Sequence, residues 1–284
     1  MPLRELPVQA ISDAVERLCR DASVHAAPDV QIALRAACER EESPIGREVL
    51  GQMLRNFDVA AQTGMPMCQD TGTVVIFADI GQDVHFTGGD LHTAVNDGVR
   101  QAWAVGRLRP SIVSRPIGQR QNSGDNTPAV LHIDLVPGDQ VHLTLLTKGG
   151  GAENMSRMCM LTPGDGLAGV MDFIVETVDI AGPNACPPVI IGVGVGGTFD
   201  SVATLAKRAI ARPIGTPQLD PELAALETDV LERVNRLGVG PHGFGGRVTA
   251  LAVHVAIAPT HIASLPVAVN LQCGPAARSR SVVL

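Results

Sequence analysis

The amino-acid sequence predicts an α/β protein, helical in its N-terminal part and then built on mixed β-sheet with packed helices. From about residue 6 to residue 61, apolar residues recur at intervals of three and four, the spacing of amphipathic helices. Apolar runs and alternating segments typical of strands follow, interspersed with helical spacing. A chain of 284 residues with 45% hydrophobic content can bury a sizeable core. We therefore expect a single domain over residues 1–284, with residues 1–61 mainly helical.

The first helices and strands can be placed from helix-capping residues, prolines and apolar runs. Ser43-Pro44 predicts the start of a new helix, because serine is a favoured cap and proline is favoured in the first turn. Residues 74–77 predict a strand, and a short extended piece follows near residues 84–86. Helical spacing returns from Asp90 until Pro110 ends it.

Two alternating segments, residues 130–136 and 141–145, are separated by the turn residues 137–140 and predict a β-hairpin. On half-buried strands, His132 and His142 would face solvent, and we favour this over metal ligation. The rest of the chain predicts helices over residues 166–182, 201–210 and 221–237, and alternating segments from residue 248 onward.

The composition argues against several classes of partner. The net charge is −7 and the pI is about 5.6, whereas nucleic acid binding requires a basic surface. Only 2% of the residues are aromatic, so platforms for stacking bases are not expected. No apolar run reaches the roughly 18 residues that a membrane span needs. We expect a soluble, cytoplasmic protein that binds neither nucleic acid nor membrane.

Six cysteines are spread along the chain without a C-x-x-C pair. Reduced, buried thiols are the plain interpretation, since free cysteine is among the most buried residue types. Cys19, Cys38 and Cys159 lie in helical patterns and fit it. Cys68, Cys186 and Cys273 instead lie in loops beside apolar strands. Thiolates in such positions could form an iron-sulfur or zinc site assembled by tertiary structure, and both interpretations stay open on this evidence.

Three further segments have the composition of binding loops. Residues 65–73 place a thiol, an amide and a carboxylate on one turn before a strand, and the polar loop over residues 111–127 is long for a connector. Lys148 precedes three glycines, whose exposed amides could form an anion cradle or a flexible turn.

A dinucleotide pattern, G-x-G-x-x-G, occurs at Gly192, Gly194 and Gly197 between an apolar strand and a helix. A non-catalytic nucleotide-binding module is therefore the alternative function. Against it, a loop occupies residues 211–217, where a second strand ending in an acid is required.

Four motifs together resemble the class I fumarase and L-tartrate dehydratase family, and specifically the α subunit of its two-subunit enzymes. The motifs are Met67-Cys68-Gln69-Asp70-Thr71-Gly72, Lys148-Gly149-Gly150-Gly151-Ala152-Glu153-Asn154, Cys186-Pro187-Pro188 and residues 261–269. The resemblance runs in order from about residue 10 to the C-terminus. It implies a domain of the iron-sulfur hydro-lyase α-subunit type.

The resemblance implies a 4Fe-4S cluster held by Cys68, Cys186 and Cys273, with one iron left open. An open metal position can bind a hydroxyl group and a neighbouring carboxylate as a Lewis acid. One departure from the family is that Gly274-Pro275 follows Cys273, where relatives commonly carry a histidine.

The resemblance also implies a substrate shell for a small hydroxy-dicarboxylate, either L-tartrate, which would be dehydrated to oxaloacetate, or malate and fumarate. Asp70 and His261 are implied as catalytic residues, and the implied substrate-binding residues are Gln69, Arg109, Gly151 and Lys148. Asn122 and Asn126 are further candidates. In the family the proton-removing base belongs to the β subunit, so we expect such a partner, in an α2β2 assembly, and no activity without it.

Overall fold

The computed structural model describes residues 3–274 and 279–284. The helices are α1 (Val8–Val24), α2 (Pro28–Arg40), α3 (Pro44–Thr63), α4 (Leu91–Gly106), α5 (Gly150–Asn154), α6 (Gly166–Ala181), α7 (Ser201–Ala209) and α8 (Pro221–Arg236). The strands are β1 (Arg4–Pro7), β2 (Thr73–Gly81), β3 (Val84–Thr87), β4 (Val113–Arg115), β5 (Gln121–Asn122), β6 (Val130–Val136), β7 (Val141–Lys148), β8 (Arg157–Leu161), β9 (Val189–Gly197), β10 (Ala250–Thr260), β11 (Leu265–Cys273) and β12 (Ser279–Val283). Within these described ranges, no helix is both long and apolar enough to cross a membrane.

Contacts divide the chain into two compact units, each described here by itself. The described part of the first unit comprises residues 3–26, 57–149 and 279–284, and that of the second comprises residues 27–56 and 150–274. Helices and mixed sheets make up both units, which confirms the α/β class. That residues 1–284 fold as a single domain stays a prediction.

The predicted helical N-terminal part is confirmed by α1, α2 and α3, which follow the short strand β1. The predicted break is also confirmed. The Ser43 hydroxyl accepts a hydrogen bond from the Gly46 backbone N–H at 3.1 Å, and Pro44 is the first residue of α3. Serine therefore satisfies a backbone donor that the first helical turn leaves without an intrahelical partner.

The first unit is built on a sheet of order β12-β7-β2-β6, in which β2 is parallel to β6 and antiparallel to β7. One face of β2 packs against α1 and α4 in a core that includes Ile11, Val15, Val74, Ile76, Val95 and Val99. Each such side chain contributes about 1.5–3 kcal/mol by leaving water. This core fixes the N-terminal end of β2, where the loop over residues 65–72 enters the sheet.

The predicted hairpin is wrong, because β2 lies between β6 and β7. The turn residues favoured pairing of neighbours in sequence, but β2 is apolar on both faces and takes the position with a strand on each side. His142 is exposed, as expected. His132 is half-buried and its ring stacks on Phe77 with centroids 5.0 Å apart.

The second unit is built on a sheet of order β10-β9-β11-β8. β9 is parallel to β10 and antiparallel to β11. Helices α6 and α8 cover one face, in a core that includes Ile174, Val178, Val230, Val234, Ile191, Val193, Val267 and Val269. On the other face, Val202 and Ala206 of α7 contact Ala268.

The glycine pattern at residues 192–197 is explained by this second face. Gly192 and Gly194 lie within β9, and not in a turn between strand and helix. A Cβ atom at Gly192 would lie 2.2 Å from the Ala206 carbonyl oxygen, and one at Gly194 would lie 2.5 Å from the Val202 carbonyl oxygen. The glycines allow α7 to pack directly on the backbone of β9, so the pattern no longer indicates a nucleotide-binding loop.

The buried carboxylate of Glu41, the residue after α2, forms hydrogen bonds with a segment of the same unit that is distant in sequence. The Glu41 carboxylate accepts backbone hydrogen bonds from Ser43 at 2.9 Å, Arg247 at 2.9 and 3.0 Å, and Val248 at 2.9 Å. Burial favours the neutral acid, but these hydrogen bonds outweigh it and lower the pKa of Glu41. The charged carboxylate therefore stabilises the junction between α2 and α3.

Candidate functional site

The loop over residues 65–72 leads into β2 and carries Cys68, Gln69 and Asp70. Its start is held by a hydrogen bond of 2.9 Å from the Met67 backbone N–H to the Ser23 carbonyl oxygen. Cys68 is half-buried and Gln69 is exposed, with 3.6 Å between the Cys68 Sγ and the Gln69 Oε1. The loop thus presents a thiol and an amide near its surface.

Asp70 faces the segment that follows α4. Its Oδ1 lies 3.7 Å from the Arg109 Nη2, accepts a hydrogen bond of 3.1 Å from the Gly72 backbone N–H and lies 3.4 Å from the Ser111 hydroxyl. The Arg109 side chain is 60% exposed. Two residues that the resemblance implies, Asp70 and Arg109, therefore form an ion pair within the first unit, and the guanidinium is accessible to a second anion.

Of the residues that hold this pair, the sequence pointed to Asn126 as a candidate and to Thr71 only as part of a motif, and it did not point to Trp103. The Thr71 hydroxyl donates to the Arg109 carbonyl oxygen at 2.6 Å, and the Trp103 indole N–H lies 3.3 Å from the same oxygen. Asn126 bonds to the backbones of both Gly72 and Ser111. The available signal was polar residues flanking Asp70 and Arg109, but only tertiary structure shows which of them bond to each other.

Lys148 is the last residue of β7 and pairs with Thr73 of β2. It is buried, with 2% of its surface exposed. Gly72 adopts a φ of +82°, and a Cβ atom there would lie 2.8 Å from the Lys148 backbone. Glycine is thus required for the Asp70 loop to pass directly over the end of β7. Asn122 is exposed and donates to the Pro110 carbonyl oxygen at 3.0 Å.

Gly151 lies in the second unit, where Gly150 and Gly151 begin the short helix α5. Gly151 is exposed, and a Cβ atom there would lie 3.1 Å from the Asn184 carbonyl oxygen. The same helix is anchored through Glu153, which forms an ion pair with Lys207 and accepts a hydrogen bond of 3.0 Å from the Asn270 side chain. The last two glycines of the run are therefore part of a helix and not of a flexible turn.

Cys186 and Cys273 lie at the same end of two paired strands, β9 and β11, in the second unit. Cys273 ends β11 opposite Val189, the first residue of β9, and Cys186 lies three residues before Val189. The Gly274 backbone N–H donates to the Pro188 carbonyl oxygen at 2.8 Å. Cys186 is exposed and takes a left-handed conformation with φ +54°, which is uncommon for a residue other than glycine and is often found at functional sites.

The departure from the family after Cys273 has a packing reason. A Cβ atom at Gly274 would lie 2.4 Å from the Pro188 carbonyl oxygen. The hydrogen-bonded approach of the two segments therefore requires glycine at this position. Pro275 lies outside the described residues.

His261 lies in the exposed turn between β10 and β11. Its Nδ1 accepts a hydrogen bond of 3.1 Å from the Ala263 backbone N–H. In the neutral ring the proton is then on Nε2, which leaves this N–H as the outward donor.

The three predicted ligands do not belong to one unit. Cys68 lies in the first unit, whereas Cys186 and Cys273 lie in the second. Nowhere in residues 3–274 and 279–284 are three His, Cys, Asp or Glu side chains grouped closely enough to hold a metal ion. The three-cysteine ligand set therefore stays a prediction.

The chemistry of the donors nevertheless fits an iron-sulfur cluster, because none of the six cysteines forms a disulfide. Cys19 is fully buried and burial raises the pKa of its thiol, which disfavours the thiolate that a metal needs. Burial also raises the pKa of Cys159. This residue lies in β8 and not in a helix, contrary to the sequence pattern.

Comparison with known proteins places these features in a family context. The model of the family described as fumarate hydratase (Fumerase) matches residues 12–283. A protein of Methanocaldococcus jannaschii with the name "Putative L(+)-tartrate dehydratase subunit alpha" is 38% identical over 268 residues, which cover 93% of this chain and 94% of that protein. The L(+)-tartrate dehydratase subunit alpha of Escherichia coli (strain UTI89 / UPEC) is 31% identical over 273 residues, covering 95% and 89%. The same subunit of strain K12 is 30% identical over 273 residues, with the same coverage.

Proposed function

The chain belongs to the fumarate hydratase (Fumerase) family, and from that premise we propose that it is the α subunit of a 4Fe-4S hydro-lyase acting on a small hydroxy-dicarboxylate. The observation that carries this proposal is the similarity to tartrate dehydratase α subunits over 93–95% of the chain. L-Tartrate is the first candidate substrate, because the relatives are named for it. Malate and fumarate are the second, because they differ from it only in hydroxyl groups and unsaturation.

In this proposal Cys68, Cys186 and Cys273 hold the cluster. Cysteines outside any disulfide fit this role, and the location of Cys186 and Cys273 at the same end of the paired strands β9 and β11 supports two of the three positions. When bound, a cluster with one open iron supplies a Lewis acid that makes the substrate hydroxyl a better leaving group.

The chain's own residues bind and orient the substrate. The exposed guanidinium of Arg109 can form a two-pronged contact with a carboxylate. Its ion pair with Asp70 places the Asp70 carboxylate beside the substrate site. Gln69, Gly151 and Lys148 complete the substrate-binding set, and Asp70 and His261 orient the hydroxyl or transfer protons. Because the His261 Nδ1 already accepts a hydrogen bond from Ala263, the other ring nitrogen, Nε2, is the one suited to donate a hydrogen bond.

The base that removes the carbon-bound proton is assigned to a β subunit, in an α2β2 assembly. The subunit names of the relatives support such a partner. Six cysteines without a disulfide among them support a reducing, cytoplasmic location.

The experiment that tests the proposal is turnover. The chain is produced anaerobically together with its partner subunit, and formation of oxaloacetate from L-tartrate and of fumarate from malate is followed. We expect one of the two reactions to require both chains. A complex that contains iron and sulfide but dehydrates neither compound would refute the substrate class, and a colourless chain that binds NAD would refute the whole proposal.

A further inference from the structure

Asp70 and Arg109 form an ion pair although 38 residues separate them and neither lies in a helix or strand. One is in the loop before β2, and the other is in the segment after α4. Surface ion pairs by themselves contribute only about 0–1 kcal/mol, so the pair does not fix its own geometry. Other contacts must hold the two segments together.

One set of contacts involves Trp103 and Thr71. The Thr71 side chain is fully buried, and its hydroxyl donates to the Arg109 carbonyl oxygen at 2.6 Å. The Trp103 indole N–H lies 3.3 Å from the Thr71 Oγ1 and 3.3 Å from the Arg109 carbonyl oxygen. The N–H of a buried tryptophan usually finds such an acceptor. The backbone of Arg109 is thereby attached both to α4 and to the residue after Asp70.

The second set involves Asn126, which is 0% exposed. Its Oδ1 accepts from the Ser111 backbone N–H at 2.7 Å, and its Nδ2 donates to the Gly72 carbonyl oxygen at 3.1 Å. Ser111 lies two residues after Arg109, and Gly72 lies two residues after Asp70. One side-chain amide therefore bonds to the backbone of both segments. A side-chain amide supplies an acceptor and a donor on two separate atoms, which lets Asn126 bond to both segments at once. Asn126 also has a φ of +63°, which asparagine tolerates better than most residues.

We propose that Asn126 and Trp103 are positioning residues that set the spacing of Asp70 and Arg109 for dicarboxylate binding, an inference that rests on the proposed function. A misplacement of about 1 Å in such groups can cost about a hundredfold in rate. The two side chains make four contacts, two with the buried residues Thr71 and Gly72 and two with the backbones of Arg109 and Ser111. Neither residue touches the substrate in this scheme, and both act through the backbones of the Asp70 loop and the Arg109 segment.

The test compares two variants with one matched control, all in the complex with the partner subunit. Asn126→Asp keeps the acceptor for Ser111 and replaces the donor to Gly72 by an oxygen. Trp103→Phe keeps an aromatic ring but removes the indole N–H together with part of the buried bicyclic ring, so its loss of stability is measured beside its kinetics. The control is Asn96→Ala, which removes the 2.9 Å hydrogen bond from the backbone N–H of Ala129, a residue just beyond the polar loop. Stability is measured by urea unfolding, so that the kinetic effects are compared at known stability.

We expect Asn126→Asp to raise KM and the Kd of succinate, an unreactive dicarboxylate, at least tenfold, and Trp103→Phe to raise both at least threefold. The Asn96→Ala variant should change neither by more than twofold, even if it loses similar stability. An equal increase in KM in the control would overturn the inference, since it would show a general loss of structure. Unchanged KM and Kd in both variants would overturn it as well.

Failure of the proposed function is distinguishable from failure of this inference. If the wild-type complex neither turns over L-tartrate or malate nor binds succinate, the proposed function fails. Amide hydrogen exchange then decides the role of Asn126 alone. Faster exchange at residues 70–73 and 109–113 in Asn126→Asp, but not in Asn96→Ala, supports the contacts described, and unchanged exchange overturns them.

Discussion

Cys273 lies directly opposite Val189 in the antiparallel pair of β11 and β9. This register brings the last residue of one strand to the edge where Cys186 precedes the other, although the two cysteines are 87 residues apart in the sequence. A shift of one residue would turn the Cys273 side chain to the opposite face of the sheet. The position of this thiol is therefore determined by the sheet and not by its own loop.

The first prediction concerns the cluster ligands. Cys68→Ala, Cys186→Ala and Cys273→Ala should each lose most of the iron and sulfide bound after anaerobic reconstitution, because each removes one of three thiolates. Cys159→Ala is the control, since it removes a thiol from the same sheet as Cys273. Chemical iron and sulfide analysis together with the visible spectrum provides the measurement. Equal losses in all four variants would mean that the ligand assignment is wrong.

The second prediction concerns the glycines of β9. Gly194→Ala should destabilise the protein by about 1–3 kcal/mol, because the new Cβ atom would lie 2.5 Å from the Val202 carbonyl oxygen and α7 would have to move. Gly164→Ala is the control, since its Cβ atom would meet its nearest neighbour at 3.7 Å. Urea unfolding measures the difference. If the wild type binds NAD and Gly194→Ala abolishes binding without loss of stability, the packing explanation is refuted.

The sequence predicted most elements but not their pairing. Periodicity located α4, α6, α7 and α8 because each helix has an apolar face visible within about fifteen residues. The prediction of a hairpin between β6 and β7 was wrong, because the order of strands depends on burial across the whole sheet. Similarly, the resemblance indicated Asp70, Arg109 and Asn126 one by one, whereas the hydrogen bond from Asn126 to Gly72 spans 54 residues of sequence and leaves no local pattern.

The third prediction concerns acid stability. His254 is buried in β10, with its Nδ1 3.2 Å from the Ala209 carbonyl oxygen. Burial, assisted by the charge of Arg212, lowers the pKa of His254 to about 4 from an ordinary 6.5. The folded state then binds fewer protons than the unfolded state below pH 6.5, so stability should fall as the pH drops from 6.5 towards 4. A pKa difference of this size corresponds to a loss of at most about 3 kcal/mol in the free energy of unfolding.

Urea unfolding at pH 7.5, 6 and 5 measures this dependence. His254→Gln should flatten the decrease, because glutamine can donate to Ala209 without titrating. Partial burial also lowers the pKa of His242, and His242→Gln provides the comparison, with a smaller effect because this side chain is more exposed. If His254→Gln leaves the slope between pH 6.5 and 5 unchanged, His254 does not control acid stability.

The fourth prediction concerns the carboxylate contact of Arg109. Arg109→Lys keeps the positive charge but loses the planar, two-pronged geometry. Loss of about 1–2 kcal/mol of substrate binding should raise KM for the dicarboxylate about five- to thirtyfold, with a smaller change in kcat. Arg107→Lys is the matched control, since this exposed arginine lies two residues away and outside the Asp70 contact. Steady-state kinetics of the two-subunit complex decides the matter. The same increase in KM for both variants would show that the positive charge of the segment binds the substrate non-specifically, and that Arg109 makes no directed contact.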